Sequence, residues 1–378
     1  MAHATPSPVE LSNPVLSPDV LSPDVLSPAV LSPDVWQARR ADHEARVEEL
    51  VGPYLRSRAQ GEKHPVLDFL FTYYSARPSH IRRWHPGYGV VLAAPGTTGD
   101  RGQARVLEEL STLRGYTRTP GGGVTVDPAF LTERRGALLA TCALLDATAS
   151  RPARLGCFGL HEWAMVYRTD APRHSVPLRL GPAATDAVVE SMPLRCTHFD
   201  AFRFFTDAAR PRNESTLSRQ TQIEHEQPGC LHATMDLYRA CINLAPLIPA
   251  ELTLAAFELA LTARELDMRA SPYDLRDLGY APVEIETPAG RAEYVREQSA
   301  IADRGAELRG TLRSHRRAAR RLLTTRFTSR VTWSAFTIAP VVPMRADDVR
   351  GFDTEAATPP ASGPPEKEGS YVGPDPCR

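Results

Sequence analysis

Proline stands at every fifth position from Pro18 to Pro33, in a run that reads LSPDV at 16–20, 21–25 and 31–35 and LSPAV at 26–30. Each proline removes a backbone donor and clashes with the preceding turn, so no helix can run through the repeat and little of it can pack. The last copy differs in its consequence. Ser32-Pro33-Asp34 supplies an N-cap residue, a proline at the first helical position and an acid in the first turn, which predicts an amphipathic helix from Val35 to about Arg58.

Hydrophobic periodicity predicts further helices over 65–75, 101–114, 127–149, 159–168, 182–191, 197–206, 229–244, 249–269 and 287–312. Leu231 to Ile248 and Leu252 to Leu266, joined at Pro249, read as an αα-hairpin. Strand-like runs are few and short: Tyr88 to Ala94, Gly123 to Val126, Val176 to Leu180 and Pro282 to Glu286. The expected fold class is therefore mainly α, a single helical domain over 31–345 with a few short strands. It lies between a disordered LSPDV-repeat lead-in over 1–30 and a disordered Pro/Gly-rich tail over 346–378, both too poor in apolar groups to offset the cost of ordering.

Several function classes lose their support at this level. No glycine-rich dinucleotide fingerprint, no phosphate-loop pattern and no regular strand–helix alternation is present, which argues against the nucleotide-binding α/β folds. A formal net charge of −1 gives the molecule no overall bias toward nucleic acid or an anionic membrane, so any such bias must be local. No apolar run reaches the roughly 18 to 20 residues that span a bilayer, and the start lacks a secretory pattern, so no membrane partner and a cytoplasmic location are expected. The six cysteines are scattered without a C-x-x-C pair, as suits reduced thiols.

Three central segments each place a cysteine near a histidine, an acid and aromatics, at the start of a predicted helix: Gly156 to Arg168, Arg195 to Phe205 and Pro228 to Arg239. In the first, Gly159 can break the preceding turn and leave His161, Glu162 and Trp163 in the first turn of a helix. Trp163 and Tyr167 then serve as core anchors with His161 a hydrogen-bonded interior histidine, or Glu162 serves as a general base with Trp163 as a stacking platform. The H-E-x-x-H motif of zinc proteases is absent, because position 165 is Met. In the second, His198 and Asp200 could act together only in extended chain, whereas Phe199, Phe202 and Phe205 recur as a core stripe does on a helix. In the third, His232 and Asp236 are four apart and share a helix face, which suits an imidazole–carboxylate hydrogen bond, two ligands of one metal, or a plain ion pair. All three segments are expected to lie on one side of the core and jointly line a single pocket. Two basic stretches stand out, Arg77 to Trp84 and Arg309 to Arg330; the second could bind phosphate or be a solvated helix face.

The segments EKHPVLDFLFTYYSARPSHIRRWHPG, GCFGLHEWAMVYR, PLRLGPAATDAVVES, RCTHFDAFRFF, EQPGCLHATMDLYR and ELDMRASPYDL together resemble a group of actinobacterial proteins named as 3-methyladenine DNA glycosylases, over roughly Leu31 to Leu312. The resemblance implies hydrolysis of the N-glycosidic bond of an alkylated base in damaged duplex DNA, with no metal and no cofactor. Such a reaction flips the nucleotide, holds the cationic base against electron-rich rings and aims water at the sugar. On that reading Glu162, Asp236, His161 and His232 are the catalytic candidates, and Trp163, Tyr167, Tyr238, His198, Asp200 and Arg203 the substrate-binding ones. A helical fold dense in histidine and aromatics also suits a metal- or haem-dependent oxidoreductase with His161, His198 or His232 as ligands. A third reading is a non-catalytic binding protein.

Overall fold

The structure, a computed structural model, describes residues 29–96, 100–170 and 176–328, with side chains to 315. The chain clusters into Met1–Thr324, which holds everything described below, and Thr325–Arg378, of which only the end of one helix is described. The parts of the expected lead-in and tail at 1–28 and 346–378 lie outside the described residues.

The fold is mainly α. Strand β1 (Ala29–Leu31) precedes α1 (Pro33–Ala59), α2 (Leu67–Thr72) and α3 (Pro78–Arg82), then come β2 (Val90–Leu92), α4 (Arg101–Thr112), β3 (Tyr116–Arg118) and β4 (Val124–Val126). Helices α5 (Pro128–Glu133), α6 (Arg135–Ala149), α7 (Leu160–Ala164), α8 (Pro182–Ser191), α9 (Phe199–Phe202) and α10 (Gln222–His225) follow. The chain continues with α11 (Leu231–Leu244), α12 (Ala250–Arg269) and α13 (Pro288–Thr328). As the Ser32-Pro33-Asp34 signal predicts, α1 has Ser32 at its N-cap with extended backbone and Pro33 as its first residue.

The four strands form one small sheet in the order β1-β2-β4-β3, with β1 parallel to β2 and the other pairs antiparallel. Two differences from the sequence reading arise here. Ala29 and Val30, expected in the lead-in, pair with Val90 and Val91, because the consecutive apolar residues Ala29-Val30-Leu31 meet an open sheet edge. Val176–Leu180 and Pro282–Glu286 form no strand; Leu178 makes only an isolated bridge to Tyr273. Trp36, Trp84, Leu92, Leu107, Leu110 and Val124 pack as a local core where the sheet meets α1 and α4. Trp36 is fully buried and its indole N–H donates to the carbonyl of Ala93 at 3.1 Å.

The main core is built around the antiparallel pair α11 and α12. Leu252, Leu254, Phe257, Leu259, Ala263 and Leu266 are all buried, so α12 is enclosed on nearly every side, and each such leucine or phenylalanine stabilises by about 1.5–3 kcal/mol. The polar residues of α12 that share this interior, Arg264 and Asp267, are equally enclosed. The expected helix over 287–312 starts at Pro288 and runs on to Thr328, carrying the part of the arginine-rich stretch that lies within the described residues. Arg309 of that stretch is buried rather than solvated, and Arg313 pairs with Asp146.

Candidate metal centre

Gly159 sits in the left-handed region, at φ 71°, immediately before α7. A side chain there would be strained, and its Cβ would stand 3.1 Å from the Cβ of Ala270. This close turn presses the first turn of α7 onto the end of α12. His161, Glu162 and Trp163 are buried as a result, with Trp163 donating from its indole nitrogen to the Ala270 carbonyl at 2.8 Å.

His161 meets α12 and α11 at once. Its Nε2 lies 2.7 Å from Oδ1 of Asp267, and its ring stands at 81° to that of His232, with centroids 4.6 Å apart. Its Nδ1 lies 3.5 Å from Sγ of Cys157. The Nε2–Oδ1 pair is not aligned as donor and acceptor of a hydrogen bond. The other oxygen of Asp267 accepts from Arg264 at 2.7 Å, and the same Arg264 nitrogen donates to Glu162 at 2.8 Å.

Two carboxylates thus face one guanidinium, and the remaining negative charge must be balanced by a proton on His161 or by another cation. Burial alone would lower the pKa of His161, but Asp267 and Cys157 hold it well above its ordinary value. Burial would raise Asp267, yet His161, His232 and Arg264 hold it below the usual carboxylate range. His232 goes the other way: burial and then the neighbouring His161 keep it neutral, well below the ordinary imidazole value.

His198 is completely buried at the extended N-cap of α9, its ring stacked on His232 with centroids 5.3 Å apart and planes 22° from parallel. A carboxylate faces each of its nitrogens: Glu226 Oε1 is 3.1 Å from Nδ1 and Asp236 Oδ2 is 3.7 Å from Nε2, neither with hydrogen-bond alignment. Asp236 also accepts from the hydroxyl of Tyr74 at 3.3 Å.

The other sequence candidates sort cleanly by position. Asp200, in the first turn of α9, points at arginines: Arg239 donates to one oxygen at 2.7 Å, and Arg219 and Arg203 hold the other. Burial would raise its pKa, but Arg239 and Arg219 keep it below the usual range. Arg203 lies over Phe204 at 4.5 Å and is half exposed. Phe202 and Phe205 are core residues, as their spacing implies. Trp163, Tyr167 and Tyr238 are 0%, 1% and 0% exposed, so none offers a ring face to an incoming base. His232 and Asp236 share a helix face and both adjoin His198, His232 meeting also the ring of His161 and Asp236 the hydroxyl of Tyr74.

Residues that sequence reasoning passed over complete the cluster: Asp267 and Arg264 on α12, Glu226 before α11, and Arg239 and Tyr74 around Asp236. The i,i+3 spacing of Arg264 and Asp267 looks like any solvated helical pair, and only burial distinguishes it. Two sets of side chains could hold a metal among the described residues: His161, His232 and Asp267, and His198, Asp200 and Asp236, each with its ligand atoms within 4.8 Å of one another. A surface cavity of about 130 Å³ is lined by Cys196, Thr197, His225 and Gln227, so along the chain it comes within one residue of both His198 and Glu226.

Comparison with protein-family models, with curated proteins and with solved structures finds no match to this chain.

Proposed function

We propose that this protein is a metal-dependent oxidoreductase whose ion is held by His161, His232 and Asp267. The observation that carries this reading is the meeting of two nearly perpendicular imidazoles and a carboxylate in the buried core, with the closest donor pair, His161 Nε2 and Asp267 Oδ1, in contact but not hydrogen-bonded. Two donors each about 2.1 Å from an ion stand at most about 4.2 Å apart. The donor atoms of the three side chains lie within 4.8 Å of one another, and with His161 and Asp267 opening from their 2.7 Å contact to admit the ion they complete a two-histidine, one-carboxylate set, the donor type of non-haem ferrous sites.

The surroundings support the ion further. Metal-bound histidines usually engage their second ring nitrogen, and His161 does so with Cys157. The charge left over beside Arg264 is negative once His161 gives up its proton, and a bound cation then takes that proton's place. Full burial of the donors excludes bulky substrates from the ion and favours electron transfer or a small co-substrate over hydrolysis of a macromolecule. Oxidisable rings pack close by: Tyr238 against Tyr74 at 5.5 Å and Tyr74 against Tyr73 at 4.9 Å.

The test is to strip the purified protein with chelator, add ferrous iron or cobalt(II) anaerobically, and record bound metal and the ligand-field spectrum. Binding through nitrogen and oxygen donors that disappears in His161→Gln and in Asp267→Asn, with iron that cycles between ferrous and ferric states, is the expected result. Failure to bind either ion, or release of methylated adenine from alkylated duplex DNA by the metal-free protein, would overturn the reading.

A further inference from the structure

We infer that the core holds a second metal position beside the first, formed by Nε2 of His198 and Oδ2 of Asp236, with Glu226 orienting His198 from its other nitrogen. The inference deepens the metal reading above, and its test is arranged so that the two can fail separately.

The observation is the state of His198. It is completely buried, yet neither ring nitrogen has a hydrogen-bond partner among the described residues. Buried polar atoms left without a hydrogen bond are destabilising, so such an arrangement calls for a ligand. Both nitrogens are nevertheless faced by carboxylates, at 3.1 Å from Glu226 and 3.7 Å from Asp236. The longer separation, on Nε2, leaves room for an ion between imidazole and carboxylate, since two donors on one ion stand up to about 4.2 Å apart. The shorter one, on Nδ1, has the character of the carboxylate that fixes the tautomer of a metal-bound histidine.

His198 does not belong to the first position. The donor atoms that lie within 4.8 Å of one another group His161, His232 and Asp267 apart from His198, Asp200 and Asp236, so His198 and His232 fall in different sets. His161 and His232, their rings at 81°, share one. Asp200, although near, is not available as a third ligand because Arg239, Arg219 and Arg203 occupy both of its oxygens. The second position therefore has two protein donors and completes its shell with water or a small co-substrate, and it binds its ion more weakly than the first.

Equilibrium dialysis of the full-length chain against zinc or cobalt(II) ions, with metal counted per chain, tests this directly. Two ions with unequal affinities are expected, falling to one in His198→Gln and, as a shape-conserving control against misfolding, in Asp236→Asn, with far-ultraviolet circular dichroism unchanged. Loss of the tighter ion alone in Asp267→Asn places the two positions independently. One ion per chain, kept in His198→Gln and lost in His161→Gln, would overturn this inference and leave the first position standing. One ion lost in His198→Gln and kept in His161→Gln would support this position and overturn the other. No ion in any form would overturn both.

Discussion

Arg264 uses a single guanidinium nitrogen to hold Glu162 at 2.8 Å and Asp267 at 2.7 Å, fastening α7 to α12 in a place where all three side chains are nearly or wholly buried. The arginine is also stacked over Phe69 at 4.2 Å. Glu162 is thereby fixed as a structural anion beside the histidines, and its carboxylate is already engaged by a cation.

Removing that cation strands two buried carboxylates. Arg264→Met is expected to destabilise the fold by about 3–5 kcal/mol, the range for breaking a buried ion pair from one side. Urea denaturation with unchanged slope measures it. A loss below 1 kcal/mol would mean that water reaches the pair.

Gly159→Ala should cost about 1–2 kcal/mol for a side chain in the left-handed region. The new Cβ also pushes on Ala270, so the turn carrying His161 shifts from Asp267. Thermal melts report the first effect, and a weakened affinity for cobalt(II) reports the second. Unchanged metal affinity would show that His161 is positioned by its own contacts and not by this turn.

Trp163→Phe removes the indole donor from the Ala270 carbonyl and leaves that buried oxygen without its partner. The expected cost is about 1–3 kcal/mol in stability. A base-stacking role predicts a different pattern, weaker binding of alkylated DNA with little change in folding, so the two measurements on one variant separate core anchor from stacking platform.

His85 predicts a sensitivity to acid. Burial, helped by His43 and Arg83, lowers its pKa to about 3 in the folded chain, against roughly 6.5 for an unfolded histidine. Between those values the unfolded chain binds a proton that the folded chain refuses, so this contribution is complete above about pH 6.5 and is lost as pH falls toward 3. His85→Leu should narrow the gap in melting temperature between about pH 7.5 and pH 4. An unchanged gap would show that His85 does not govern the acid limb.

What the chain's order of residues determined on its own is local. Ser32-Pro33-Asp34 starts a helix because proline fixes the first φ and costs no donor there, and no further proline follows at the repeat's spacing; Gly181-Pro182 does the same for α8, whose predicted span of 182–191 matches Pro182–Ser191. Phe202 and Phe205 are buried in the core and Phe199 packs partly buried against it, so the recurrence picks out core contacts although only Phe199 and Phe202 lie on α9. The predicted helices over 159–168 and 197–206 are each trimmed to a single turn or little more, at Leu160–Ala164 and Phe199–Phe202. Tertiary contacts govern where such short helices stop. Period shows which residues share a face; it does not show what stands opposite. That His161 finds Asp267, that His198 lies between Glu226 and Asp236, and that Asp200 turns away to three arginines depends on how α7, α9, α11 and α12 are packed. Arg264 and Asp267 would be an ordinary solvated pair on an exposed helix. Only the enclosure of α12 removes the water that would otherwise screen them, and with it makes their charges part of a site.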